Sequence, residues 1–280
     1  MKILSTIDDA EISINTFKSA CKLAKRLRYG IAAIHVDRGQ EYSSEFIEWG
    51  RIQDKIVKEL QDISKEVAVR IKDTAKNCMV QADVFLAGGL PATEILNFLN
   101  DNGIYKIISM GHSSKTIIEQ SVTKTILNNT SIPILVTNCE IEFDDILLYI
   151  DDSKTIEKTV KSIIPLLKSL KPVSVTAIMI MPDSQILLNE YKNIAEIPYF
   201  KETPDFKRDL DIWQANQRKV LDDAVTLLSN AGIPAQALVR YGDTFNEIKS
   251  EAIKHDLLIL TRNNIASVCL TNQSLNLLFI

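Results

Sequence analysis

At 280 residues the chain is long enough for two ordinary domains, since domains cluster near about 100 to 150 residues. Its 46% apolar and 24% charged residues fall in the range of packed globular proteins and exclude a disordered chain. A net charge of −4, from 36 acidic and 32 basic residues spread along the sequence, leaves no basic face for nucleic acid or an anionic membrane surface.

The opening run Lys2-Ile3-Leu4-Ser5-Thr6-Ile7-Asp8-Asp9 reads as a buried strand that ends on two aspartates. It has no apolar core of signal-peptide length, and no run in the chain approaches the roughly 20 apolar residues of a membrane span, so a cytoplasmic protein is expected. A helical pattern follows, and Asp8-Asp9 before it would place N-capping oxygens and negative charge at the positive helix end. Ile31 to Val36 is a second short apolar run of strand type, with His35 inside it. Ile52, Ile56, Leu60, Ile63, Val67 and Ile71 then recur at spacings of three or four, which predicts a long helix with this stripe in the core. Gly89-Leu90-Pro91-Ala92-Thr93-Glu94-Ile95 opens another helix, Ile107 to Gly111 is a strand, Ser121-Val122 marks a helix, and Pro133-Ile134-Leu135-Val136 is a closing strand.

The chain then repeats itself. Asp145-Ile146-Leu147-Leu148-Tyr149-Ile150-Asp151-Asp152 restates the opening run, and at the same offset Thr16, Lys18, Ser19, Leu23, Lys25 and Leu27 return as Thr159, Lys161, Ser162, Leu166, Lys168 and Leu170. Val175 to Ile180 parallels the second strand, and Gly242 to Ile248 parallels Gly89 to Ile95. A second helical stripe, around Leu210, Trp213, Val220, Ala224 and Leu227, follows an aromatic, loop-rich stretch from Tyr191 to Phe206 that suits a lid or an interface. The polar segment Cys139 to Asp144 separates the halves, which gives expected domains 1–140 and 144–280. Apolar strands alternating with helices argue for βαβ units, an α/β class with a parallel sheet in each half.

The order of these signals, from Ile7-Asp8 through Gly89 to Ile95, Ile107 to Gly111 and Ser121-Val122 to Pro133 to Val136, resembles the universal stress protein family. The resemblance implies a tandem member: two open, parallel, five-stranded sheets flanked by helices, Rossmann-like and adenine-nucleotide-hydrolase-like, related as a pseudo-dimer within the chain. It implies terminal strands that pair, for which Pro133 to Val136 and Leu275 to Ile280 are the candidates, and it leaves a homodimer of whole chains open. It also implies ATP or AMP, with Mg²⁺, at the carboxyl ends of the strands of nucleotide-binding members. Cofactor-binding candidates on that basis are Asp8, Val36, Gly89, Gly111 and Ser121 in the first repeat, with Asp151 and Ser267 in the second.

The phosphate loop departs from the family pattern Gly-x-x-Gly-x9-Gly-Ser/Thr. The first repeat reads Gly111-His112-Ser113-Ser114, five residues, then Gln120-Ser121, so two glycines are replaced and the loop is shorter. Those glycines let backbone N–H groups approach phosphate oxygens. In the second repeat Arg262 stands in place of Gly111, and Asn263 leads almost directly to Ala266-Ser267. ATP-pyrophosphatases carry Ser-Gly-Gly-x-Asp-Ser after the first strand, and neither Ile7-Asp8-Asp9-Ala10 nor Ile150-Asp151-Asp152-Ser153 has it.

The remaining residues offer no catalytic or metal pattern. Cys21, Cys78, Cys139 and Cys269 lie far apart and read as structural thiols; His35, His112 and His255 read as structural, His112 in the ligand loop being the one nearest an anion. Paired acids suit capping better than a hard cation, which needs converging oxygens. Three functions stay open: a non-enzymatic stress-response protein that binds a ligand or protein partners and requires no cofactor, a nucleotide-binding or weakly ATP-hydrolysing switch, and a carrier of an apolar small ligand.

Overall fold

The computed structural model describes residues 1–8, 10–37, 50–111, 117–151, 156–184, 186–188, 203–262, 269–270, 272 and 274–280. Compactness divides the chain into one unit of Met1–Glu142 with Leu270–Ile280 and another of Phe143–Cys269. Packing thus groups the last eleven residues, which the sequence assigns to the second repeat, with the first.

The first unit runs β1 (Lys2–Ile7), α1 (Glu11–Leu27), β2 (Gly30–Asp37), α2 (Gly50–Asn77), β3 (Ala82–Gly88), α3 (Pro91–Asp101), β4 (Tyr105–Gly111), α4 (Ile117–Asn129) and β5 (Ile134–Thr137). The second runs β6 (Asp145–Tyr149), α5 (Ile156–Leu170), β7 (Ser174–Met181), α6 (Pro204–Asn230), β8 (Ala235–Tyr241), α7 (Thr244–Ala252) and β9 (Leu257–Leu260), and the chain closes on β10 (Leu277–Phe279).

In the first unit five parallel strands lie in the order β3-β2-β1-β4-β5. β1, β4 and β5 are buried on both faces, which is why their sequences run apolar without alternation. β10 adds antiparallel to β5, with Leu277 opposite Val136 and Phe279 opposite Ile134, so the two terminal apolar runs pair as their need for burial predicts. Among the described residues the second unit has four parallel strands in the order β9-β6-β7-β8.

α1 shows how side chains anchor the segment that leaves the first sheet. Phe17, Ala20, Cys21, Leu23 and Ala24 fill the core, and a hydroxyl row on the same helix reaches the chain after β5. Thr16 Oγ1 donates to the Thr137 carbonyl at 2.9 Å; Ser19 Oγ donates to the Cys139 carbonyl at 3.0 Å and accepts the Ile141 N–H at 3.1 Å. Lys22 pairs with Glu140 at 2.7 Å and also with Glu142.

The predicted helical stripes hold in part: Val67, Ile71 and Ala224 are buried as expected, and other members differ. In α2, Val67 and Ile71 are core, but Ile63 is 41% exposed and Ser64 turns inward at 6%. The inward row is therefore half-buried Leu60 followed by buried Ser64, Val67 and Ile71, a valid helical spacing that an apolar count skips because one member is serine. The side chains of Ile52 and Ile56 lie outside the described residues. In α6 the buried residues are Leu221, Ala224 and Leu228, one position beyond the predicted Val220 and Leu227. Residues 191–202 of the aromatic stretch lie outside the described residues, and its end, from Pro204, is the first turn of α6, capped by Thr203, whose hydroxyl accepts the Phe206 N–H at 3.2 Å.

The repeat is visible in the backbone itself. Arg28 (φ 57) and Lys171 (φ 52) end α1 and α5, Met79 (φ 53) and Gly232 (φ 78) end α2 and α6, and Gly89 (φ 140) and Gly242 (φ 142) precede α3 and α7. At the last pair only glycine is unstrained. An added Cβ would also stand 3.1 Å from Glu94 at Gly89 and 3.2 Å from Glu247 at Gly242. Among the described residues, no helix is long and apolar enough to cross a membrane.

Candidate functional site

β1 and β4 are neighbours, yet the chain crosses from β1 outward to β2 and β3 before returning to β4. α1 packs with α2 while α3 packs with α4, so the connections diverge and open a crevice beyond the carboxyl ends of the central strands. This is the switch point where open α/β sheets bind ligands. A cavity of about 380 Å³ occupies it.

Strand ends supply its floor: Thr6 and Ile7 at the end of β1 with Asp8 just after it, Ile34 to Asp37 on β2, and Met110 and Gly111 on β4. Helices supply its walls: Ser13 from α1, Leu60, Ile63 and Ser64 from α2, Pro91 and Ile95 from α3, Val122 and Thr123 from α4. Of the residues predicted from sequence, Asp8, Val36 and Gly111 are thus brought together. Gly89 is not among the lining residues; it forms the turn into α3, its N–H donating to the Asp37 carbonyl at 2.9 Å. Ser121 lies within α4 with its side chain outside the described residues, as are His112 and Ser267 altogether. Asp151 belongs to the second unit, where its carboxylate accepts from Thr261 Oγ1 at 3.3 Å.

Asp8 Oδ1 accepts the Ala10 N–H at 3.0 Å and the Ser13 hydroxyl. Asp8 thus closes a turn ahead of α1 and does not cap it, since the N-cap position is Ala10 and no side chain caps the helix there; these bonds fall on one carboxylate oxygen, which leaves the other for the cavity. At Gly111 an added Cβ would lie 3.4 Å from Ser13 Oγ and 3.5 Å from Thr16 Oγ1, ordinary contact distances. Packing does not demand this glycine; its effect is to leave that side of the cavity open.

Two lining residues escape the sequence reading. His35, read as structural inside a strand, is 7% exposed, and its Nδ1 lies 2.9 Å from the Ile7 carbonyl oxygen. That bond orients the ring at the cavity floor. Ser64 is the second. Its hydroxyl is buried without a hydrogen-bond partner among the described residues.

The described lining carries two carboxylates, Asp8 and Asp37, and no Lys or Arg. In the second unit Arg262, at the end of β9, is half-buried rather than a solvated surface charge, and burial pushes its pKa below the ordinary value. Burial also pushes the Cys21 thiol upward, helped by its neighbour Cys78, and the Cys269 thiol up to about 12. Such thiols are poor nucleophiles, in keeping with a packing role. Among the described residues no group of three or more His, Cys, Asp or Glu is placed to hold a metal ion.

Comparison with known proteins gives a consistent result. The model of the universal stress protein family matches residues 1–138. The Bacillus subtilis universal stress protein YxiE is 27% identical over 143 residues, covering 48% of this chain and 97% of that protein. Among solved structures, a universal stress protein from Archaeoglobus fulgidus aligns with a TM-score of 0.65 at 16% identity, over 99% of this chain and 95% of its own. One described as a putative universal stress protein, from Pseudomonas aeruginosa, aligns with a TM-score of 0.55 at 13% identity, over 100% and 92%. At these identities the structural likenesses establish the fold.

Proposed function

Because the chain belongs to the universal stress protein family, we propose that it is a non-enzymatic stress-response protein that works by binding, with a small nucleoside-type ligand in the crevice of its first repeat. The cavity carries this reading. Its roughly 380 Å³ suit a small molecule, such sites measuring about 300 to 1,000 Å³. Asp8 offers its second carboxylate oxygen to ligand hydroxyls or amines, and Ile34, Val36, Ile95 and Val122 offer apolar surface to a flat ring.

Charge separates a nucleoside from a triphosphate. A phosphate charge about 6 Å from the Asp8 carboxylate would be opposed by about 3 kcal/mol at an effective dielectric near 20. No basic side chain in the described lining offsets that repulsion. The loop after Gly111 also lacks two of the glycines that a phosphate cradle uses. Mg²⁺ is the ion that would reverse the balance, and AMP lies between the two extremes.

Calorimetry on the whole chain with adenosine, AMP and ATP, each with and without Mg²⁺, tests the proposal. The expected order is adenosine at least as tight as AMP, and both tighter than ATP. Asp8→Asn should weaken adenosine while keeping an acceptor for the Ala10 N–H and the Ser13 hydroxyl. A folded sample that binds none of the three at millimolar concentration would overturn the ligand reading and leave protein partners as the binding class to pursue.

A further inference from the structure

We propose that Cys21 and Cys78 are a redox-active pair, which a small-molecule disulfide oxidises to a reversible cross-link between α1 and the end of α2. Cys21 belongs to the buried row of α1 and is fully buried. Cys78 is the first residue after α2, half-buried, with its N–H donating to the Thr74 carbonyl at 2.9 Å. It continues the inward row of that helix beyond Val67, Ile71 and Ala75 at helical spacing, and α2 packs on α1. The two rows bring the thiols together, close enough for a side-chain hydrogen bond between them.

The second repeat shows that the fold does not need sulfur at these places. At the offset that relates Leu23 to Leu166 and Leu27 to Leu170, Ile164 stands for Cys21. With Gly232 in the place of Met79 at the closing turn, Ala231 stands for Cys78. Aliphatic side chains therefore serve both positions in one copy, while the other sets two cysteines side by side. Their unequal access assigns the steps. The half-buried Cys78 thiol attacks a small disulfide RSSR; the S–S bond breaks, Cys78–S–SR forms and one RSH leaves. The Cys21 sulfur then attacks the Cys78 sulfur, its proton leaving with the second RS⁻ as RSH. Two protein thiols are thus oxidised and one RSSR is reduced to two RSH. Burial makes Cys21 a poor nucleophile, so the second step is the slow one, and contact with Cys78 offsets this by proximity.

Oxidised and reduced glutathione are the probes. The whole folded chain is equilibrated in mixtures of the two, the remaining thiols are alkylated in denaturant, and the peptides are mapped by mass spectrometry. The expected product links Cys21 to Cys78 and is returned to two thiols by dithiothreitol. The native chain should favour the link about tenfold or more over the urea-unfolded chain in the same mixtures, since the fold holds the two sulfurs together. The oxidised form should accordingly unfold at a higher urea concentration than the reduced form. Cys78→Ser, at the half-buried position, should leave Cys21 a free thiol and remove the rise in midpoint. Two thiols that stay alkylatable in oxidised glutathione, or a Cys78 that stops at the mixed disulfide with glutathione, would overturn the proposal. So would a link that forms as readily in the unfolded chain as in the native one.

Discussion

Met79 holds a left-handed backbone conformation, φ 53, at the end of α2, where its N–H donates to the Lys76 carbonyl and the Val80 N–H reaches back to Ala75. The second repeat builds the same closing turn with Gly232, whose neighbour Ile233 donates to Leu228. A Cβ in this conformation costs about 1–2 kcal/mol, and the Met79 side chain is 82% exposed, so it recovers little through packing. Met79→Gly is therefore expected to stabilise the chain by about 0.5–1 kcal/mol, part of the relief being offset by the greater freedom of glycine in the unfolded state. Urea denaturation measures it, and an unchanged or lower midpoint would contradict the strain argument. The same contrast explains what the sequence reveals of single residues. Asp8 and Gly111 are legible because each sits where an apolar strand stops. His35 and Ser64 are not, since a polar residue inside an apolar pattern looks alike whether it faces a core or a cavity.

Elements were legible in kind, and their rotation was less so. β1, β4 and β5 announce themselves as apolar runs because both their faces are covered. α2 and α6 announce themselves by period, but in one a buried serine takes the inward place of Ile63, and in the other adjacent apolar pairs such as Val220-Leu221 move two members of the row by one position. α7 carries a buried charge that no period reveals. Glu251 has a side chain 10% exposed, with Lys254 at 2.8 Å and Arg240 at 3.1 Å on Oε2 and His255 Nε2 at 3.8 Å from Oε1. Burial by itself would raise its pKa, but the hydrogen bonds from Lys254 and Arg240 more than offset this and hold it below the ordinary 4.5. A carboxylate depressed in the folded state stabilises above its unfolded pKa, and the contribution is lost as pH falls through the folded value. Glu251→Gln should therefore cost about 1–3 kcal/mol at neutral pH, with the gap from the native chain closing as pH falls below the ordinary 4.5. Urea titrations across that range check the sign, and a gap that stayed constant with pH would mean the charge is not what the site uses.

At the scale of the molecule the repeat was the most legible feature, because two copies of one fold must satisfy the same backbone at matching offsets, down to the paired positive-φ positions. The allegiance of the last segment was less legible, since an apolar run states that it must be buried without stating in which unit. Leu275, Leu277, Leu278 and Phe279 are each at most 1% exposed, and β10 closes the outer edge of β5. Phe279→Ala should cost about 3–5 kcal/mol while leaving the backbone pairing intact, so the mass in solution should not change. Deleting residues 275–280 removes all four side chains and the pairing strand together. The loss should be roughly 5 kcal/mol or more, a large share of an ordinary domain's stability. It also uncovers the N–H and C=O groups of β5 as a template for another chain. Light scattering should then show self-association in the deletion variant and none in Phe279→Ala, with urea midpoints lowered in both. A deletion variant that kept its native mass and midpoint would mean that β5 is protected by something other than β10.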